Sequence, residues 1–184
     1  MPAGDFSSTS SAREGFAKLG FSVGAEFYTE IFENWEAGLG GAFSVNGLDA
    51  AELQRQAQSS NPGSKVDAGS WQLLWVMGGV GFKFPVSKTI GVYGRGNGGL
   101  LFGRLPDITV TGGSATTHTS STSATTSALG LSLGVLIDRS YDLGFSYFSA
   151  EPEYHVFVTS ENNSLNASLK QPTTNILLTL GYNL

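Results

Sequence analysis

The chain contains no cysteine and only two histidines, and charged residues make up just 14% of its 184 positions. The first absence excludes disulfide staples and thiolate metal sites, a pattern shared by envelope proteins and many cytosolic ones. With two distant histidines and no clustered carboxylates there is no ligand set for zinc. Soluble domains carry about 25% charged residues, so this surface is short of the groups that keep a protein in water. No run of about 18 apolar residues occurs, which excludes transmembrane helices. Met1-Pro2-Ala3-Gly4-Asp5 has neither the basic start nor the apolar core of a secretory signal. The net charge of −5 argues against nucleic acid as a partner.

What is present is alternation. From Ala17 to Phe27 the odd positions read Ala, Leu, Phe, Val, Ala, Phe, and the even ones Lys18, Gly20, Ser22, Gly24 and Glu26. Successive side chains of a strand point to opposite faces, and eleven residues of alternation suit a tilted membrane-crossing strand. Trp35 to Asn46 repeats the pattern, with Leu39, Phe43 and Val45 opposite Glu36, Gly38 and Ser44. Further strands are expected over Trp71–Phe84, Ile90–Phe102, Leu129–Ile137, Tyr141 onward, and Thr174–Leu184. In the last, Ile176, Leu178, Leu180, Tyr182 and Leu184 form one continuous apolar row. Gly is abundant, at 25 residues, and many lie inside these runs.

Between the strands, short and long connections alternate. Residues 47–70 hold helix formers (Leu48 to Gln58) before an Asn61-Pro62-Gly63 turn, and residues 105–127 and 159–173 are rich in Ser, Thr and Asn. Leu48 to Gln58 is expected to form a short helix, the 105–127 connection, mostly Ser, Thr, Gly and Ala from Thr111 on, to be mobile and without a core, and 159–173 to be a polar loop. Seven strands emerge, whereas a closed single-chain bacterial barrel has an even number. The preferred resolution is an eighth strand ahead of Met1, with residues 1–14 as an outer loop; the alternative is a poor strand over Phe6 to Ala12.

Taken together, the alternating strands, the aromatics near their ends and the apolar closing row mean that the chain resembles the small eight-stranded outer-membrane β-barrels of the OmpA/OmpX type. Pro2-Ala3-Gly4-Asp5-Phe6 followed by Gly15-Phe16 is similar to a first-loop pattern in such barrels. The resemblance implies a single domain over residues 1–184, an all-β, antiparallel, up-and-down transmembrane barrel in the bacterial outer membrane. It implies lipid bilayer and lipopolysaccharide as surroundings and the barrel-assembly machinery as a partner. That machinery would read Ile176, Leu178, Leu180, Tyr182 and Leu184, although the family usually ends in Phe. Long loops at residues 47–70, 105–127 and 159–173 would face outward, toward a host or envelope protein.

In this reading the apolar rows meet lipid, and Phe27, Tyr28, Trp35, Trp71, Phe84, Tyr141 and Tyr182 are candidates for interfacial girdles. Eight strands leave room inside only for side chains. The inward rows carry Lys18, Glu26, Glu36, Lys83, Tyr93, Arg95, Asn97, Asp138 and Asp142, and buried charges must pair. The expectation is an ion-pair plug with Arg95 bridging Glu26 or Glu36. No cofactor, metal or catalytic residue is expected. Two other classes stay open: a soluble lipocalin-like barrel holding a lipophilic ligand, and an outer-leaflet lipid hydrolase using His155 with Glu153 or Glu151 and a loop serine.

Overall fold

A computed structural model describes residues 1–9, 15–112, 115–120, 122–138, 141–160 and 163–182. The period-2 stretches form one antiparallel sheet of seven strands that follow one another in sequence. They are β1 (Ala17–Phe32), β2 (Trp35–Leu48), β4 (Ser70–Pro85), β5 (Ile90–Arg104), β8 (Ser123–Ile137), β9 (Tyr141–Ala150) and β12 (Thr173–Tyr182). The sheet curls into a half-barrel. Tyr28 on β1 reaches Asn97 on β5, and Arg95 on β5 reaches both Glu36 on β2 and Asp142 on β9. It is not closed, since β1 and β12 stand at its two ends.

Connections at one end are brief. Glu33 and Asn34 join β1 to β2, with Asn34 in the left-handed region (φ 64°) that Asn tolerates. At the other end the three long connections carry regular structure among the described residues, a helix in the first as expected, and strands in the 105–127 connection where a coreless mobile segment was expected. The first carries α1 (Ala50–Ser60) and β3 (Lys65–Ala68), the second β6 (Ile108–Gly112) and β7 (Ala115–Ser120), the third β10 (Glu153–Ser160) and β11 (Asn163–Lys170). Their strands pair with one another into a second, five-stranded sheet in the order β11-β10-β7-β6-β3. Ladder hydrogen bonds come from the backbone, so Ser/Thr-rich segments can pair without supplying a core. Helix α1 starts where Asp49 Oδ1 accepts from Glu52 N at 3.1 Å, an N-cap.

Near the N-terminus, Gly4–Phe6 forms a 3₁₀ turn rather than a strand. Phe6 is buried edge-on against Trp71, and Trp71 Nε1 donates to Gly15 O at 2.9 Å. Trp71 is 2% exposed, so it is a core residue inside the sheet's concave face and not a girdle aromatic. Tyr28 also turns inward. Phe27, Trp35, Phe84 and Tyr141 do point outward and are exposed.

Candidate functional site

The concave face is filled in two storeys. Toward the long connections, Phe6, Trp71, Leu73, Trp75, Leu101, Phe148 and Tyr154 form a buried apolar cluster. Toward the short turns the filling is charged. Glu36 is fully buried, and Arg95 Nε donates to its Oε1 at 2.5 Å while Lys83 Nζ lies 2.8 Å from its Oε2. The Arg95 Nη1 also lies 3.3 Å from Asp142 Oδ2 and 3.6 Å from Glu26 Oε2. Its guanidinium sits between two aromatic faces, 4.1 Å from the Tyr28 ring centre and 3.9 Å from that of Tyr93. Arg suits this position because its planar fork donates to several carboxylates and stacks on rings at once.

The register explains how these groups meet. Glu36 pairs with Gly81, and Gly81 with Arg95, so three inward positions lie in one cross-strand row with the middle one empty. A Cβ on Gly81 would come within 2.7 Å of Arg95 Cγ and 3.0 Å of Glu36 Oε1. The same device serves Tyr93, which pairs with Gly134, itself paired with Gly144. The ring lies across both glycines, and its hydroxyl donates to Asp142 Oδ1 at 2.6 Å. These glycines make room for the plug; curvature alone does not account for them. A signal was available in the sequence: the glycines fall on the inward rows, beside the strands that carry the long polar side chains.

A neutral chain continues the network upward. Tyr28 Oη donates to Asn97 Oδ1 at 2.6 Å, Asn97 Nδ2 donates to Ser132 Oγ at 3.2 Å, and Ser132 and Ser146 share a hydrogen bond of 2.8 Å. Of the inward residues singled out in the sequence, Glu26, Glu36, Lys83, Tyr93, Arg95, Asn97 and Asp142 are thus brought together. Two are not. Lys18 stands at the rim and pairs with Asp49 at 3.0 Å. Asp138 lies in an exposed turn with φ 52°.

On β12, Ile176, Leu178 and Leu180 take the outward row, opposite buried Thr173 and Asn175. The Tyr182 backbone pairs with Tyr141. Leu184 lies outside the described residues. His155 is exposed, and Ser168 Oγ lies 3.2 Å from its Nδ1 across the β10–β11 pair. Glu153, two residues along, lies 3.9 Å from Lys170. The other histidine, His118, contacts Thr109 at 3.0 Å. Among the described residues no group of three or more His, Asp or Glu is placed to hold a metal ion.

No protein-family model matches this chain, and neither does any curated protein. Chemically, the interior arrangement binds itself. Its central cation, Arg95, meets the carboxylates of Glu26, Glu36 and Asp142 and the rings of Tyr28 and Tyr93.

Proposed function

We propose that the chain is a transmembrane β-barrel protein of the bacterial outer membrane, with a side-chain-filled lumen and a non-catalytic structural or surface-interaction role. One observation carries the reading. Leu39, Leu129, Leu131 and Leu133, on strands flanked by neighbours on both sides, point away from the concave face and are each 65–72% exposed. They form a band with Leu19, Phe21, Phe27, Leu178 and Leu180, while Glu36 and Arg95 are buried within. A large apolar side chain left in water forgoes about 2 kcal/mol, and soluble monomers rarely expose continuous apolar patches beyond a few hundred Å². Hydrocarbon removes that cost.

The asymmetry of the two ends supports the orientation. Brief turns belong to the periplasmic side and elaborated connections to the outside in barrels of this size. The outer end is then a five-stranded platform, which would meet lipopolysaccharide or a host or envelope protein. The test is solubility: the refolded chain should be monodisperse in detergent micelles and insert into vesicles. A monodisperse, folded chain in plain buffer would overturn the reading and favour the lipocalin-like one. The hydrolase reading draws on the Ser168–His155 contact alone; esterase activity abolished by His155→Ala would favour it.

A further inference from the structure

We propose that the free edge of β11 is a homotypic docking site, at which two copies of this chain pair through antiparallel β11 strands centred on Ala167, head to head between opposed membranes. The two edges of the second sheet differ. β3, at one end, is four residues long and carries Lys65 and Asp67. Its backbone is already engaged from α1: Gln54 Oε1 accepts from Val66 N at 2.9 Å, and Gln54 Nε2 donates to Ser64 O at 2.6 Å. β11, at the other end, is eight residues long, pairs with β10 without a register shift, and contains neither proline nor glycine. Its one charge, Lys170, is its last residue. Short, charged and covered edges resist further pairing, whereas a long regular one invites it. The amino-terminal segment pairs lower down, where Ala3 N donates to Thr174 O on β12, and then turns inward to bury Phe6.

The residues along this edge select the occupant. Cross-strand partners share a face, so Leu165, Ala167 and Leu169 lie on the row of Val158, Val156 and Tyr154, and Ser164, Asn166 and Ser168 lie on the other. Leu165 is 64% exposed and Leu169 38%, on a strand otherwise polar or small. An antiparallel partner centred on Ala167 sets Leu165 against Leu169 of the second copy, and Leu169 against its Leu165. Asn166 then meets Ser168, and Lys170 meets Ser164, so no like charges face each other. Centring the pair on any other residue of β11 leaves a leucine opposite a small side chain or beyond the end of the strand. The edge is complementary to itself.

The same pairing fixes how the two copies stand. The β9–β12 register runs on past the rim, from Ala150 opposite Thr173, through Gln171 N donating to Pro152 O at 3.0 Å, to Glu153 opposite Lys170. β11 therefore continues the wall of the main sheet, and it leads away from the bilayer on the membrane reading, on which this step rests. Two like strands pair antiparallel about a two-fold axis perpendicular to their sheet, and that axis points the two walls in opposite directions. Copies in one membrane are related by an axis along the bilayer normal. Such an axis makes like strands parallel and turns their leucine rows to opposite faces, so the leucines meet only between opposed surfaces. A single eight-residue ladder is a small contact, and many of them between two surfaces add as a multivalent one.

The cysteine-free chain allows a direct test. Ser164→Cys in one copy and Lys170→Cys in the other stand opposite each other, with Cβ atoms about 5 Å apart, whereas like positions are offset by about 20 Å along the strands. Each variant is refolded in micelles and treated with a short thiol cross-linker, alone and mixed with the other. Only the mixture should yield cross-linked dimers. In a second measurement, two differently dyed vesicle populations that both carry the chain should cluster. Leu165→Lys should abolish the clustering, and adding Leu169→Glu should restore it, because the register sets the two new charges against each other; circular dichroism checks that each variant is folded. Dimers from either cysteine variant alone, clustering that survives Leu165→Lys, or no recovery with Leu169→Glu would overturn the proposal. So would a mixture without dimers, which would assign the edge to a strand of a different protein. Failure of the membrane reading shows separately, as a folded, monodisperse chain in plain buffer, where the same cross-link reports the pairing alone.

Discussion

The two storeys of the concave face fill the same kind of space with opposite chemistry. Around Trp71, Leu73, Trp75 and Tyr154 the filling is apolar, and among the described residues Trp75 Nε1 and Tyr154 Oη have no hydrogen-bond partner. Around Arg95 every charged group has an opposite charge or a ring within reach. The upper storey is held by area and shape, and it tolerates an idle polar atom at some cost. The lower storey is held by mutual satisfaction, so removing one member strands the others in a poorly solvated interior.

The largest expected effect follows from that difference. Arg95→Ala leaves buried Glu36 with only Lys83 to face, and breaking a buried pair from one side costs about 3–5 kcal/mol. Unfolding by urea or heat in detergent micelles should show the loss, and adding Glu36→Gln to Arg95→Ala should recover much of it. An Arg95→Ala chain as stable as the parent would remove the lower storey from any structural role.

A pair of tyrosines sharpens the comparison, because one atom is deleted from each storey. In Tyr93→Phe the lost hydroxyl was donating to the Asp142 carboxylate, and a hydrogen bond to a charged group contributes about 1.5–3 kcal/mol. In Tyr154→Phe the lost hydroxyl was buried and idle, and an unsatisfied buried group costs about 1–3 kcal/mol. The first variant should be less stable than the parent and the second at least as stable. Equal losses from both would mean the storeys do not differ in kind.

The smallest effect lies outside both. Hydrogen bonds from Lys18 and from the Glu52 backbone hold the Asp49 carboxyl below its ordinary value of 3.8. A carboxyl depressed on folding adds stability that is full above its unfolded value and is lost as pH falls through the folded one. Acidification below pH 3.8 should therefore fray α1 first, seen as a small loss of helical circular dichroism. Asp49→Ala should reproduce that loss at neutral pH, at about 1 kcal/mol.

Much of the frame was legible because a strand repeats every two residues. The seven strands of the main sheet, the outward leucines and the inward position of Glu36, Arg95 and Asp142 all follow from that period. Tyr28 and Trp71 were misplaced as girdle aromatics because an aromatic near a strand end satisfies either face, and only the packing of Arg95 and Phe6 decides. Helix α1 was legible from its helix formers and cap. The second sheet was not, because Thr116 to Ser120 and Asn163 to Lys170 carry little apolar patterning and owe their order to backbone pairing. The role of Gly81, Gly134 and Gly144 needed the register, since a missing side chain has meaning only beside the long one that crosses it.

Which way the apolar rows look is tested most directly by single spin labels in bilayers, at Leu131→Cys and Leu178→Cys and, for contrast, at Thr117→Cys on the platform. Lipid-soluble oxygen should relax the labels at 131 and 178 strongly while a charged, water-soluble relaxer leaves them untouched, and 117 should show the reverse. Strong relaxation by the water-soluble agent at both 131 and 178 would contradict the outward, lipid-facing placement on which the membrane reading stands.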